Sequence, residues 1–174
     1  MSTVYANDGE TITGTFVSAG SNRVFTTLDK IPKDLQNAFI AVEDARFYDH
    51  NGIDIKGITR AAVKGITSGG QFSQGGSTIT QQLVKNVTDE DATEGLGGIQ
   101  RKISEMSRAY KIEKMLSKYQ ILEIYLNEIY LGGFGKEIHG VEVAAQYYFS
   151  KSAKDLDLAE SAYIAGINHA PNSY

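Results

Sequence analysis

The chain has no cysteine and only two prolines among its 174 residues. Without cysteine, disulfide bridges and thiolate metal sites are excluded. No apolar run approaches the roughly 18 to 20 residues that a membrane-spanning helix needs, so the chain as given is expected to be soluble. A Walker loop, a dinucleotide fingerprint and a serine nucleophile elbow are all missing, so the sequence gives no support for the functions that these motifs carry.

Charge and composition set the broad class. The 17 Lys and Arg residues against 21 Asp and Glu give a net charge of −4, which argues against nucleic acid as a partner. Scarce proline with plentiful Ala, Ile, Leu, Glu and Lys favours helices. The length suits one domain with a real core. We therefore expect a single, mainly α domain over residues 1–174.

Local patterns predict a small extended element followed by seven helices. Residues 4–28 contain a turn signal, "NDGE", an alternating stretch, "TITGTFV", and a stretch rich in β-formers, "NRVFTTL". Pro32 suits the first turn of the first helix. The predicted helices cover 32–48, 55–66, a stretch that starts within "GGSTITQQLVKN", 99–116, 118–131, 141–149 and 156–167. The acidic, Gly-rich segment 88–98 is predicted to be a loop.

The stretch "NAFIAVEDARFYDHNGID" places Glu43 behind apolar residues. A helix over it predicts a buried stripe made by three side chains: Leu35, Phe39 and Val42. Glu43 would lie at the edge of that stripe, where desolvation disfavours a charged carboxylate and makes it usable as a general base or acid near neutrality. The alternative is a structural ion pair between Glu43 and either Arg46 or Arg60.

A second candidate site is the predicted helix start in "GGSTITQQLVKN". Thr78 and Gln81 have the spacing of a capping box, and the preceding glycines allow a ligand to approach the backbone closely. Unpaired N–H groups and the positive end of a helix dipole favour an anion there, and Lys85 adds a charge near the face of Gln81 or Gln82. The alternative is a well-capped helix with surface hydroxyls.

The third candidate is the basic helix that begins with "RKISEMSRAYK". Helical spacing places Arg101, Glu105 and Arg108 on one face. It places three apolar side chains on the opposite face: Ile103, Met106 and Tyr110. Residues 101–118 hold six Lys or Arg against two Glu, which suits phosphate, pyrophosphate or an anionic membrane surface. A solvated, salt-bridged helix is the alternative.

The remaining polar residues suggest structural roles. Asn127 lies in a stretch whose apolar positions are predicted to form the core: Ile121, Leu122, Tyr125, Leu126, Ile129 and Tyr130. It is expected to bond internally. His50, His139 and His169 lack metal-ligand spacing and are also expected to be structural.

The two candidate acids are Glu43 and Glu105. They lie in contrasting surroundings, one apolar and one cationic, which is the arrangement used in glycosyl chemistry. Hydrolysis and transfer both remain open.

Together these strings resemble one known family. Its blocks occur in order as "EDARFYDHNGID", "QGGSTITQQLVKN", "RKISE", "KYQILEIYLNEIYLG" and "GVEVAAQYYFSK", followed by "LDLAESAYIAGINHAP". From about Val4 to its end, the chain resembles the family 51 peptidoglycan glycosyltransferases. These are the glycan-polymerising domains of class A penicillin-binding proteins and the monofunctional enzymes. The implied fold is mainly α, a lysozyme-like two-lobed helical domain with a small N-terminal β element.

The resemblance implies an inverting polymerisation of lipid II into β-1,4 glycan strands. Glu43 would be the general base and Glu105 would assist the pyrophosphate leaving group, directly or through a divalent cation, Mg²⁺ or Mn²⁺. Lys85, Arg101 and Lys102 match positions suited to neutralising phosphates. The residues matching the lining of the cleft are Arg60, Ser77, Thr78 and Gln82. No organic cofactor is implied.

Partners and location follow from the same resemblance. Lipid II, the growing undecaprenyl pyrophosphate-linked glycan and the membrane surface are the implied partners. The domain would be a piece of a longer protein, anchored at the extracytoplasmic face of the bacterial membrane and followed in many members by a transpeptidase domain. The family commonly has a basic residue where this chain has Gly97. Two alternatives stay open: a lysozyme-like hydrolase or lytic transglycosylase, and a non-catalytic module that binds cell-wall precursor.

Overall fold

The computed structural model describes residues 2–5, 12–16, 21–67, 76–88, 96–133 and 137–168. Its β structure is small, as predicted: β1 (Ser2–Tyr5) pairs antiparallel with β2 (Ile12–Phe16), and β3 (Ser21–Asn22) pairs parallel with β4 (Glu137–Ile138). The predicted "NDGE" turn lies outside the described residues. The β prediction for "NRVFTTL" is wrong beyond Asn22, where the chain is irregular up to a 3₁₀ turn at Leu28–Lys30.

Side chains of a later helix explain why that segment is not a strand. The Thr26 N–H donates to Asn127 Oδ1 at 2.8 Å, and Asn127 Nδ2 donates to the Thr26 carbonyl at 2.9 Å. The Leu28 N–H donates to Glu123 Oε2 at 2.7 Å. The backbone groups that a strand partner would have satisfied are therefore satisfied by an amide and a carboxylate. The predicted internal role of Asn127 is confirmed.

The described residues contain seven α-helices. Their bounds are α1 Lys33–Glu43, α2 Ile55–Thr67, α3 Ile79–Thr88, α4 Leu96–Met115, α5 Lys118–Glu128, α6 Val141–Phe149 and α7 Leu158–Ile167. Further 3₁₀ turns lie at Phe47–Asp49 and Ala153–Asp155. The prediction for α6 is confirmed at both ends, and that for α2 within one residue. α4 begins three residues before the predicted helix, so Leu96 to Gly98 are helical and not part of a loop.

Three helix ends differ from the predictions for physical reasons. α1 ends at Glu43 and not near Tyr48, because Asp44 leaves helical geometry with φ −156°. α5 ends at Glu128, because Ile129 is extended and the Ile129 carbonyl accepts the Gly140 N–H at 2.9 Å. α7 begins at Leu158, since Asp157 and Glu160 form a capping box there. Pro32 is the N-cap of α1 and not its first helical residue.

The core is built around α5. Ile121, Leu122, Tyr125 and Leu126 are fully buried, as predicted, and Ile129 is nearly so. Tyr130 is only partly buried. α5 packs against α3 and α6, α3 packs against α4, and α1 packs against α7. The ends of α1, α3 and α7 are therefore held in fixed relation by one core.

The face of α4 that carries Glu105 and Ala109 is the buried one. These two residues are 8% and 0% exposed, whereas Ile103 and Tyr110 on the predicted apolar face are 62% and 44% exposed. The acidic and small side chains thus turn inward, next to α3, and two apolar side chains face solvent. No helix in the described ranges is long and apolar enough to cross a membrane.

Gly140, the N-cap of α6, is expected to be irreplaceable by alanine. Its φ is +81°, and an added Cβ would lie 2.7 Å from the Asn127 carbonyl oxygen. Gly140→Ala should lower the free energy of unfolding by about 3 kcal/mol, from backbone strain and the clash. Gly166→Ala in α7 is the matched control, because its Cβ meets nothing within 4 Å. Urea unfolding of both variants tests this; equal stabilities would contradict it.

Candidate active site

A cavity of about 510 Å³ lies where α1 ends, α2 passes and α3 begins. Five of the residues selected from the sequence line it: Glu43, Arg60, Ser77, Thr78 and Gln82. The carboxylates of Asp44 and Asp54 also line it. Three segments that are distant in sequence thus place carboxylate, guanidinium, hydroxyl and amide groups around one space.

Glu43 is the last residue of α1 and is held by two amide groups. Gln82 Nε2 donates to Glu43 Oε2 at 2.8 Å, and Asn168 Nδ2 donates to Glu43 Oε1 at 2.7 Å. Glu43 is half-buried, while Val42 is 44% exposed and lines the cavity. The predicted stripe is therefore correct for Leu35 and Phe39 but wrong for Val42. Amide donors, and not an apolar wall, define the surroundings of this carboxylate.

The alternative ion pair between Glu43 and Arg46 is not the one formed. Arg46 instead donates through Nε and Nη2 to both carboxylate oxygens of Asp54. This hydrogen bonding holds the pKa of Asp54 below its usual value. Arg60 is exposed and lines the same cavity as Glu43.

Tyr125 fixes the orientation of the Gln82 amide. Its hydroxyl donates to Gln82 Oε1 at 3.1 Å, which leaves Nε2 of the same amide to face Glu43. Burial raises the pKa of Tyr125, and the negative charge of Glu43 raises it further. The hydroxyl therefore keeps its proton and remains a donor at any physiological pH. A fully buried core residue thus orients a group at the cavity.

The start of α3 is a capped helix, but the Thr78 hydroxyl is buried and not on the surface as the alternative interpretation held. The Thr78 N–H donates to Gln81 Oε1 at 2.9 Å and the Gln81 N–H donates to Thr78 Oγ1 at 3.1 Å, which confirms the capping box. The Thr78 hydroxyl donates to the Gly52 carbonyl at 2.7 Å, and the Ile79 N–H donates to Asp44 Oδ2 at 3.1 Å. These internal bonds occupy three of the N–H groups at the helix start, those of Thr78, Ile79 and Gln81.

The cationic part of the site lies farther along α3 and on α4. Lys85, Arg101 and Glu105 line a small cavity of about 10 Å³, room for about one water. Lys102 Nζ donates to Glu105 Oε1 at 2.6 Å and to Ser77 Oγ at 2.8 Å. Ser77 also lines the larger cavity, so Lys102 is hydrogen-bonded to one residue of each cavity. Arg101 Nε is buried and has no hydrogen-bond partner within the part of the chain that the structure describes.

Four residues of this site were missed or undervalued from the sequence. They are Asp44, His50, Tyr125 and Asn168. His50 Nε2 lies 2.9 Å from Asp44 Oδ2, which supports its predicted structural role, and His139 Nδ1 lies 3.3 Å from the Glu128 carbonyl. His169 lies outside the described residues. The adjacency of Asp44 to Glu43 was a usable signal; no spacing rule relates Asn168 to a glutamate 125 residues earlier.

Comparison with known families decides the identity of the domain. The model of the family described as "Transglycosylase" matches residues 8–174. The chain belongs to this transglycosylase family. The resemblance stated from the sequence motifs is thereby confirmed, as are the predicted enzyme class and the mainly α, lysozyme-like helical fold.

Relatives of this transglycosylase domain are penicillin-binding proteins. The chain is 45% identical over 174 residues to penicillin-binding protein 1A of Neisseria flavescens, covering 99% of this chain and 20% of that protein. It is 46% identical over 173 residues to the protein of that name from Neisseria gonorrhoeae, with the same two coverages. It is 49% identical over 151 residues to that of Clostridium perfringens, covering 84% and 21%. The chain thus spans about a fifth of the length of the curated relatives it matches.

Proposed function

We propose that this domain polymerises lipid II into β-1,4-linked peptidoglycan glycan strands with inversion at the anomeric carbon. The proposal rests on the carboxylate of Glu43, which accepts hydrogen bonds from two amides and lines the larger cavity. Lys102 connects a residue of that cavity, Ser77, to Glu105 in the smaller one. A carboxylate positioned by two neutral N–H donors can accept a proton, which is what a general base must do. An anionic leaving group needs the cations.

In the proposed glycosyl transfer, Glu43 acts as the general base. The 4-hydroxyl oxygen of the acceptor sugar attacks the anomeric carbon of the donor, and its proton passes to the Glu43 carboxylate. The bond between that carbon and the pyrophosphate oxygen breaks, and the lipid pyrophosphate leaves with the bonding electrons. Attack from the face opposite the leaving group converts the α-linked donor into a β-1,4 product. The role of Glu43 here is to accept one proton.

Lys102 is the cation best placed to serve both cavities. Its ammonium lies between Ser77, on the larger cavity, and Glu105, on the smaller one. Arg101 offers a buried Nε–H that lacks an intramolecular acceptor among the described residues, and Lys85 adds an exposed charge beside it. Charge-assisted hydrogen bonds from such groups to phosphate oxygens are the strong class. We infer that the donor pyrophosphate binds along α3 and α4, with Glu105 holding Lys102 in place.

A divalent cation fits this site only together with the substrate. No group of three or more metal-binding side chains occurs in the described ranges. One oxygen of Glu105 already accepts from Lys102. Mg²⁺ commonly binds through one or two carboxylates plus substrate phosphates, so the free oxygen of Glu105 would hold Mg²⁺ or Mn²⁺ when a pyrophosphate is present. Such an ion would supply further charge neutralisation at the leaving group.

The two alternative functions make different demands on these residues. A lysozyme-like hydrolase or lytic transglycosylase cleaves an uncharged glycosidic bond and has no evident use for Lys85, Arg101 and Lys102. A non-catalytic module that binds precursor needs the cations but no positioned carboxylate. The presence of both features in one site favours polymerisation.

The wider setting is also a proposal. Because the relatives named above are penicillin-binding proteins about five times as long, we propose that this domain works beside a transpeptidase domain. We place it at the extracytoplasmic face of the bacterial membrane, with lipid II and the growing undecaprenyl pyrophosphate-linked glycan as partners. The membrane surface would present both substrates to the cavity.

The direct test is polymerisation of purified lipid II in detergent by this chain, with Mg²⁺, with Mn²⁺ and with a chelator. The expected result is a ladder of glycan polymers and release of undecaprenyl pyrophosphate. Loss of the ladder in the chelator would assign a cation to the Glu105 site. Cleavage of finished glycan without polymer would support the hydrolase, and lipid II binding without either product would support the binding module.

Replacing Lys102 with methionine tests the cationic part of the site. Lys102→Met should lower kcat/KM for lipid II by about 10- to 100-fold, because a charge-assisted bond to phosphate is lost. Lys111→Met is the matched control, since Lys111 lies exposed on the same helix. Initial rates of polymer formation from labelled lipid II measure the effect. Equal rates for the two variants would remove Lys102 from the leaving-group site.

A further inference from the structure

We propose that Asn168 is a positioning residue for Glu43: its side-chain amide orients the carboxylate for proton abstraction. The inference rests on the function proposed above and deepens it, because it adds a residue to the base that the sequence motifs did not indicate. It is carried by one hydrogen bond, from Asn168 Nδ2 to Glu43 Oε1 at 2.7 Å, between residues 125 positions apart.

The two oxygens of Glu43 are bound by different elements. Gln82 of α3 donates to Oε2, and Asn168, the C-cap of α7, donates to Oε1. With both oxygens bound, the carboxylate plane cannot rotate freely. Proton abstraction is sensitive to such alignment. The amide of Asn168 therefore sets half of the geometry of the base.

The packing of α7 against α1 holds Asn168 and Glu43 in a fixed relation. α7 packs against α1, the helix that ends at Glu43, and buries Ile164, Ala165 and Ile167 directly before Asn168. The donor and the acceptor thus lie at the ends of two helices in one core. Hydrogen bonds thus run in a chain from Asn168 to Glu43, from Gln82 to Glu43 and from Tyr125 to Gln82.

An amide is chemically suited to this role. Its N–H groups donate without carrying charge, so they orient the carboxylate without adding a positive charge beside it. A lysine or arginine at the same place would oppose protonation of the carboxylate through its charge. A leucine, of similar size, would leave Oε1 without this donor. The chemistry of the contact therefore predicts distinct results for different substitutions.

The first test compares Asn168→Leu with the native chain on lipid II. We expect kcat to fall by about 10- to 100-fold with KM for lipid II changed by less than about threefold, because the amide orients the base and does not touch the substrate. Asn37→Leu is the matched control, an exposed asparagine on the helix that carries Glu43. Thermal unfolding of each variant separates a loss of fold from a loss of alignment.

The second test uses Asn168→Asp, which keeps the shape but replaces the donor with a carboxylate. At neutral pH the two carboxylates repel each other; at lower pH one proton is shared between them and the O–H donor is restored. The other charged or titratable groups around the pair are Asp44 at the C-cap of α1, Arg60 from α2 and Tyr125 from α5. We expect the activity of this variant relative to the native chain to rise as pH falls from about 8 to about 5.

Each outcome has a defined meaning. Native activity, loss in Asn168→Leu with normal unfolding, and acid recovery in Asn168→Asp support the inference. Activity of Asn168→Leu equal to that of Asn37→Leu overturns it, as does a pH profile of Asn168→Asp parallel to the native one. If the native chain binds lipid II but makes no polymer, the proposed function fails. Because the native chain already carries Asn168, that failure is independent of the Asn168 substitutions, and unchanged thermal unfolding of the variants would show that they are still folded.

Discussion

Glu43→Gln is expected to abolish polymer formation while the domain remains folded. Glutamine has the shape of glutamate but cannot accept the proton of the acceptor hydroxyl. Positioned general bases contribute about 10²- to 10⁴-fold to rate, and a loss of this order is expected in kcat. Gln82 and Asn168 both donate to Glu43, so one donor of the new amide would face an existing N–H. Glu43 is only half-buried, and we expect a stability cost within about 1 kcal/mol.

The measurement is single-turnover polymerisation of labelled lipid II, with binding of lipid II recorded in parallel. Asp34→Asn is the matched control, because Asp34 is an exposed carboxylate in the first turn of the same helix. It should polymerise at the native rate. Polymer made at native rate by Glu43→Gln would exclude Glu43 as the base. Loss of lipid II binding would mean that Glu43 also contributes to binding of the substrate before the chemical step.

The sequence selected Glu43 from a helical stripe that the structure only partly contains. Periodicity predicted a buried stripe that included Val42, with Glu43 at its apolar edge. The helix instead ends at Glu43, and Val42 is exposed beside the cavity. Helical periodicity reports which residues share a face, but it does not report where Asp44 leaves the helix to bind other segments.

The partners of Glu43 were beyond prediction from local pattern. Gln82 was selected because of the "QGGSTITQQLVKN" block, whereas Tyr125 was assigned only to the core and Asn168 had no assigned role. Both reach the site through helix packing, α3 against α5 and α1 against α7. Tyr125 lies 43 positions from its partner Gln82, and Asn168 lies 125 positions from its partner Glu43. No spacing rule covers such separations.

The orientation of α4 shows a related limit. The pattern correctly grouped Glu105 with the cations of its face, but amphipathicity would turn Ile103 and Tyr110 inward. The structure buries Glu105 because Lys102 and Ser77 form a polar network beside α3. Burial of a carboxylate against hydrophobic periodicity requires a specific partner, and here the partner comes from the same helix. The site overrides the usual rule for amphipathic helices.

Asp44→Ala should produce the largest loss of stability. The Asp44 carboxylate is buried, receives the Ile79 N–H at 3.1 Å and lies 2.9 Å from His50 Nε2. Removing it leaves both groups without their acceptor, which costs about 1 to 3 kcal/mol each, so we expect the free energy of unfolding to fall by about 3 kcal/mol or more. Urea unfolding followed by circular dichroism measures this change.

The same substitution should also lower activity, because Asp44 ties the end of α1 to the start of α3. Glu43 and Gln82 lie on these two elements and depend on that contact for their 2.8 Å hydrogen bond. Asp49→Ala, which removes an exposed carboxylate nearby, should change stability by less than about 0.5 kcal/mol. If Asp44→Ala unfolded at the same urea concentration as Asp49→Ala, the junction would not depend on this carboxylate, and the alignment of Glu43 with Gln82 would have to come from the packing of α3 and α5 alone.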